Sequence, residues 1–213
     1  MAVIAVLGGT GYAGRHIVKE AVDRGHKVLS IARNVAADRV PGATYLEASL
    51  LDLPDLVTQL EGVDVVVSAV APRGDMLGKL RPAITELNSV LPGDVRLGVV
   101  GGAGGSRVAP DGPLLLETPE FPAAFKAEAT EAYGILQDLQ ADASGRDWFF
   151  VHPAGGFGSF NPGERRGTYR TGHDVLVVDD QGESFISGAD FAIAVLDEIE
   201  RPAHVRDRFT VGY

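Results

Sequence analysis

The stretch Gly9-Thr10-Gly11-Tyr12-Ala13-Gly14 sets glycines at the first, third and sixth positions of a short segment. The chain has 27 glycines in 213 residues, so this spacing alone could arise by chance. Its surroundings give it meaning. Residues 2–7 are a continuous apolar run closed by Gly8, and Ile17, Val18, Ala21 and Val22 follow at helical spacing. A glycine loop between a buried strand and a helix points unpaired backbone N–H groups and the positive end of the helix dipole at an anion, typically a pyrophosphate. Gly8, Thr10, Gly11, Tyr12, Ala13 and Gly14 are therefore expected to hold a dinucleotide. In that geometry Gly11 allows close approach of the phosphates and Gly14 allows close packing of helix on strand. The alternative is a tight strand-to-helix turn with no ligand.

A second position bears on which dinucleotide. Sites that choose NAD usually carry an acid about 20 residues beyond the loop, to accept the ribose hydroxyls. This chain has Arg33 there. A guanidinium suits a 2′-phosphate, and Arg15 could add charge, so NADP(H) is expected ahead of NAD(H). The competing reading makes both arginines solvated surface groups.

The elements that must position these residues follow from apolar patterning. Strands are expected at 2–7, 27–32, 44–48, 63–68, 95–100 and 148–152, each short and apolar. Helices are expected at 12–24, after Asp52, at 75–91, at 122–140 and at 188–200, with Gly25 as a C-terminal cap and Asp52 as an N-terminal one. Alternation of this kind implies an α/β Rossmann-type fold, a doubly wound parallel sheet with helices on both faces, formed by residues 1–213 as one domain. Residues 154–185 break the period. They are expected to form a small substrate-side region with hairpin strands at 168–170 and 175–178, before a last strand at 208–211.

Composition narrows the class. The chain is 45% hydrophobic and 23% charged, with a formal net charge of −10 and no cysteine. Disulfides and thiolate chemistry are excluded, and the acidic balance argues against a nucleic-acid partner. No apolar run approaches the length of a membrane span, and the N-terminus lacks a basic flank, so a cytoplasmic protein, monomeric or homodimeric, is expected. The histidines at 16, 26, 152, 173 and 204 show no metal-ligand spacing.

The opening Gly8-Gly9-Thr10-Gly11-Tyr12-Ala13-Gly14, then Arg24-Gly25-His26 and Ile31-Ala32-Arg33-Asn34, resembles the atypical short-chain dehydrogenase/reductases. More narrowly the chain is similar to the NmrA-like, NAD(P)H-binding proteins described as NADH-flavin reductases. The likeness continues through Val100-Gly101-Gly102-Ala103-Gly104, Phe121-Pro122, Lys126, Asp147-Trp148, Pro153, Pro162-Gly163-Glu164-Arg165, Ile186-Ser187 and Arg208-Phe209-Thr210-Val211. The resemblance implies that the cofactor lies over the C-terminal strand ends. Arg33, Asn34, Ser49 and Leu50 would then meet the adenosine, and Ala69, Val70 and Ala71 the ribose and pyrophosphate. Val100, Gly101, Pro153 and Ala154 would flank the nicotinamide. Where relatives carry an acid for the adenine amino group, this chain has Ser49.

Catalytic machinery is less evident. The Tyr-x-x-x-Lys pair of typical short-chain dehydrogenases, in which lysine lowers the tyrosine pKa, becomes Tyr133-x-x-x-Gln137. Lys126 and His152 are the remaining catalytic candidates, each with a plain structural alternative, and Arg170 and His173 could also face a substrate. Hydride transfer needs little acid–base help because the cofactor carries the chemistry. The resemblance thus implies NADPH-dependent reduction of a small flat acceptor such as a flavin or quinone, entering between residues 101–105 and 154–173. A non-catalytic NADP(H)-binding regulator and an NAD(P)-dependent epimerase or isomerase remain as rivals.

Overall fold

A computed structural model of the chain describes residues 1–35 and 38–213. Strand β1 (Val3–Leu7) leads through the glycine loop into α1 (Tyr12–Asp23). The helix stops at Gly25, whose φ of +82° is open to glycine without a Cβ penalty. There the Gly25 N–H meets the Val22 carbonyl and the His26 N–H that of Ala21, satisfying the last carbonyls of the helix. The chain continues as β2 (Lys27–Ala32), β3 (Thr44–Glu47), α2 (Leu53–Thr58), β4 (Val65–Ser68), α3 (Leu80–Val90) and β5 (Arg96–Val100). It is completed by α4 (Ala123–Ala141), β6 (Trp148–His152), β7 (Arg170–Gly172), α5 (Gly188–Glu200) and β8 (Asp207–Gly212).

The strands form one sheet in the order β3-β2-β1-β4-β5-β6-β8-β7. Every neighbouring pair is parallel except β7 with β8. This is a Rossmann-type sheet wound in both directions from β1, so the connections at its centre diverge and leave a crevice beyond the carboxyl ends of the strands. One sheet face packs on α2, α3 and α4 through Leu56, Leu87, Leu97, Leu136 and Phe150; the other packs on α1 and α5 through Ile17, Val18, Phe149, Phe191 and Val195. These side chains are fully buried, each contributing about 1.5–3 kcal/mol of burial free energy. A rigid two-faced core holds the strand ends in place.

Three expectations from the sequence need correction. The helix expected at 75–91 starts only at Leu80, because Gly78 takes a φ of +76°; a separate 3₁₀ turn covers Gly74–Met76. The exposed N–H groups of Gly78 and Arg81 are instead met by the Glu131 carboxylate of α4, at 2.5 and 3.0 Å. Asp52 precedes α2, but its carboxylate makes no capping bond. The hairpin of 168–170 with 175–178 does not form: β7 pairs with β8, while the backbone at 174–176 bonds to Arg107. By contrast, Ser187 caps α5, its Oγ accepting the Asp190 N–H at 3.1 Å.

Candidate functional site

A cavity of about 790 Å³ follows the C-terminal ends of β1 to β6. Gly8, Thr10, Gly11, Tyr12 and Ala13 line it from the first loop, and Arg33, Asn34, Ser49 and Leu50 from the ends of β2 and β3. Ala69, Val70 and Ala71 follow β4, Val100 and Gly101 end β5, and Pro153 and Ala154 follow β6. Gly14 alone among the expected loop residues lies behind the wall. A Cβ there would stand 2.2 Å from the Gly8 carbonyl oxygen and 2.8 Å from the Gly9 Cα, so the helix could not seat on the loop. The Gly11 N–H donates to the Gly8 carbonyl at 2.9 Å, and the first-turn N–H groups of α1, which have no intrahelical acceptor, open where Gly11, Tyr12 and Ala13 meet the cavity.

Tyr12 ties this loop to the irregular C-terminal region. Its hydroxyl donates to the Pro162 carbonyl at 3.2 Å and accepts the Gly188 N–H at 3.0 Å. Its ring meets His16 and Phe157 edge-on. Burial raises the phenol pKa, and the Gly188 N–H offsets only part of that rise. This tyrosine stays protonated and serves as a strut.

The two ends of the cavity differ. Toward β2 and β3 it is floored by Leu50, Leu56, Met76 and Leu80, with Arg33 at the rim bonded to Asp75. Arg15 is turned away, its guanidinium paired with Asp38 at 2.6 Å. Toward β5 and β6 the walls are aromatic: Phe121, Phe125, Phe150, Phe157 and Phe160, with the glycine run 101–104 as floor. Phe125 and Phe160 are 53% and 79% exposed, so they rim the mouth. Arg73 and Glu128 join across the cavity through two hydrogen bonds, at 2.9 and 2.7 Å. Nothing in the sequence pairs these two, because they stand 55 residues apart.

The catalytic candidates fall outside this space. Lys126 is exposed on α4 and does not line the cavity, and Gln137 lies on an outer face of the same helix. His152 is 1% exposed and sits behind the glycine run, its Nδ1–H donating to the Gly102 carbonyl at 2.9 Å. Its Nε2 has no hydrogen-bond partner among the described residues. Burial depresses the imidazole to about 4, with the Gly102 carbonyl opposing, so the ring is neutral at physiological pH. Arg208, also buried, holds the Gly105 carbonyl at 3.1 Å and Asp174 at 3.0 Å. Together His152 and Arg208 grip both ends of the turn that floors the cavity. Arg170 and His173 bond to the Val178 carbonyl and to Asp207 respectively, outside the cavity lining.

A family model described as NAD(P)H-binding matches residues 8–202. The chain belongs to this NAD(P)H-binding family. YwnB of Bacillus subtilis (strain 168), an uncharacterized protein, is 39% identical over 214 residues, covering 98% of this chain and 97% of the relative. A crystal structure from Streptococcus pneumoniae TIGR4, provisionally named an NADH-flavin reductase, is 33% identical with a TM-score of 0.88, covering 100% of this chain and 99% of that one. One from Bacteroides thetaiotaomicron, provisionally named an epimerase, is 30% identical with a TM-score of 0.86 over 100% and 97%. The residues here fit the nucleotide: the volume lies in the usual range for cofactor pockets, the helix terminus supplies N–H donors, and small residues leave room along the strand ends. No helix among the described residues is long and apolar enough to cross a membrane.

Proposed function

We propose that this protein is an NADPH-dependent reductase that passes hydride to a flat acceptor such as a flavin or quinone. The observation that carries this reading is the aromatic lining of the cleft, where Phe121, Phe125, Phe157 and Phe160 border the same cavity as the 101–104 glycine run. Planar rings stack on planar acceptors and exclude water from the face between them. When bound, the dinucleotide supplies the hydride. The chain's own residues orient it: the α1 terminus meets the pyrophosphate, the small residues after β4 admit the ribose, and Arg33 takes the 2′-phosphate. Val100, Gly101, Pro153 and Ala154 flank the nicotinamide.

The oxidised acceptor gains two electrons and one proton as the hydride, and takes any second proton from water. No side chain is assigned as its donor, which agrees with Lys126 and His152 standing outside the cleft. A screen of flavins and quinones against protein loaded with NADPH tests the reading. Acceptor-dependent NADPH oxidation at one equivalent per two-electron acceptor is expected. Tight NADPH binding with no acceptor reduced would instead make the protein a sensor, the reading favoured by the missing tyrosine–lysine pair.

A further inference from the structure

The end of β2 lacks the acid that unphosphorylated dinucleotide sites use, yet the fold delivers one to that position from another element. Asp75, in the turn Gly74–Met76 between β4 and α3, accepts a hydrogen bond from Arg33 Nη1 through its Oδ2, across 42 residues of sequence. Their side chains are 51% and 61% exposed, so neither is committed to the core. The contact uses one guanidinium nitrogen, unlike the two-point pair of Arg73 with Glu128 nearby. The Arg33 hydrogen bond holds the Asp75 carboxyl below its ordinary range, so it is charged at neutral pH.

We propose that Asp75 is a cofactor-specificity residue whose carboxylate competes with the 2′-phosphate of NADPH for Arg33. This rests on the assignment of Arg33 to that phosphate made above. A phosphate monoester brings one to two negative charges to the guanidinium, which binds it best through two parallel N–H groups. Asp75 already occupies one of those groups and repels the incoming anion. To admit NADPH the carboxylate must leave Arg33, whereas an unphosphorylated ribose can enter with the pair intact. Asp75 therefore narrows the margin by which Arg33 favours the phosphorylated cofactor and keeps NADH usable.

Titrations of NADPH and NADH by nicotinamide fluorescence, on wild type, Asp75→Asn and Arg33→Ala, test this. Asp75→Asn preserves size and removes charge at an exposed turn, so folding should be unaffected, which circular dichroism checks. NADPH affinity should rise about three- to tenfold in Asp75→Asn while NADH affinity changes less than about twofold, the scale of a like-charge contact in high dielectric. The gain should shrink as salt is raised, because exposed charges are screened. Arg33→Ala should abolish the preference for NADPH. If Arg33→Ala leaves the ratio of the two affinities unchanged, the phosphate assignment fails, and a gain in Asp75→Asn would not rescue competition for that arginine. If Arg33→Ala collapses the ratio but Asp75→Asn leaves it unchanged or lowers it, the assignment stands and the role of Asp75 is overturned.

Discussion

The two ends of the cleft are built by different means. Around β1, β2 and β4 the lining is backbone and small side chains at the ends of buried parallel strands, so its shape follows from the sheet itself. Around β5 and β6 the lining is irregular chain, pinned by side chains from far away. In the irregular chain behind that lining, Asp190, fully buried on α5, accepts the N–H groups of Arg166 and Gly167 at 2.7 and 2.9 Å. It also takes hydrogen bonds from the hydroxyls of Ser187 and Tyr213. His152 and Arg208 grip the floor, and Tyr12 reaches over from the other end. The glycine-loop end is specified by local rules and the aromatic end by a set of long-range polar ties, so under the proposed function the first, as the nucleotide side, should tolerate little change in the loop and the second, as the acceptor side, should be separable from it.

Gly14→Val is the severest break on the nucleotide side. Its Cβ would press on Gly8 backbone that cannot give way, and NADPH binding should fall by at least about a hundredfold or the fold should fail. NADPH titration with circular dichroism reads both outcomes.

On the acceptor side, Asp190→Ala leaves buried donors without partners. It should destabilise the chain by about 3–5 kcal/mol in urea unfolding. In the surviving folded fraction acceptor turnover should suffer more than NADPH affinity. Equal loss of both would show that the two ends are not separable.

His152 sharpens the comparison through pH. Burial holds its folded-state pKa at about 4, against about 6.5 in an unfolded chain. Between these values the unfolded chain binds the extra proton. Stability is therefore fully present above about pH 6.5 and declines as pH falls to about 4, by on the order of 3 kcal/mol. His152→Asn keeps a donor for the Gly102 carbonyl and should flatten this part of the profile. The carboxylate of Asp190 acts lower. Burial alone would raise its pKa, but hydrogen bonds from Tyr213, Arg166, Gly167 and Ser187 hold it below the ordinary range, so its contribution is lost only under more acid conditions.

Phe125→Ala should give the smallest effect. Its ring is half exposed at the mouth, so the KM for a flat acceptor should rise about three- to tenfold with NADPH affinity unchanged.

This division also explains what could be read from the sequence. Short apolar runs and the Gly25 cap gave the strand and helix order, since each records burial on a regular element. The residues from Gly8 to Ala154 that the loop motif and the family resemblance point to for a cofactor stand at strand ends, which in this fold border the crevice. No hairpin forms over 168–178 because its extended segments pair outside it, with β8 and Arg107. Helix α3 began late because Gly78 takes a left-handed turn and a carboxylate from α4 serves the N–H groups there. Arg73 with Glu128, and Arg33 with Asp75, are pairs created by the fold, and no local pattern announces them.

The most direct measurement is a crystal structure of the protein with NADPH. The 2′-phosphate should lie at Arg33, with Asp75 displaced, and the pyrophosphate at the start of α1. The nicotinamide should lie between Val100–Gly101 and Pro153–Ala154, with its open face toward Phe157 and the mouth rimmed by Phe125 and Phe160. A cofactor bound with its nicotinamide outside that aromatic end, or with that face sealed by protein, would contradict hydride delivery to a flat acceptor.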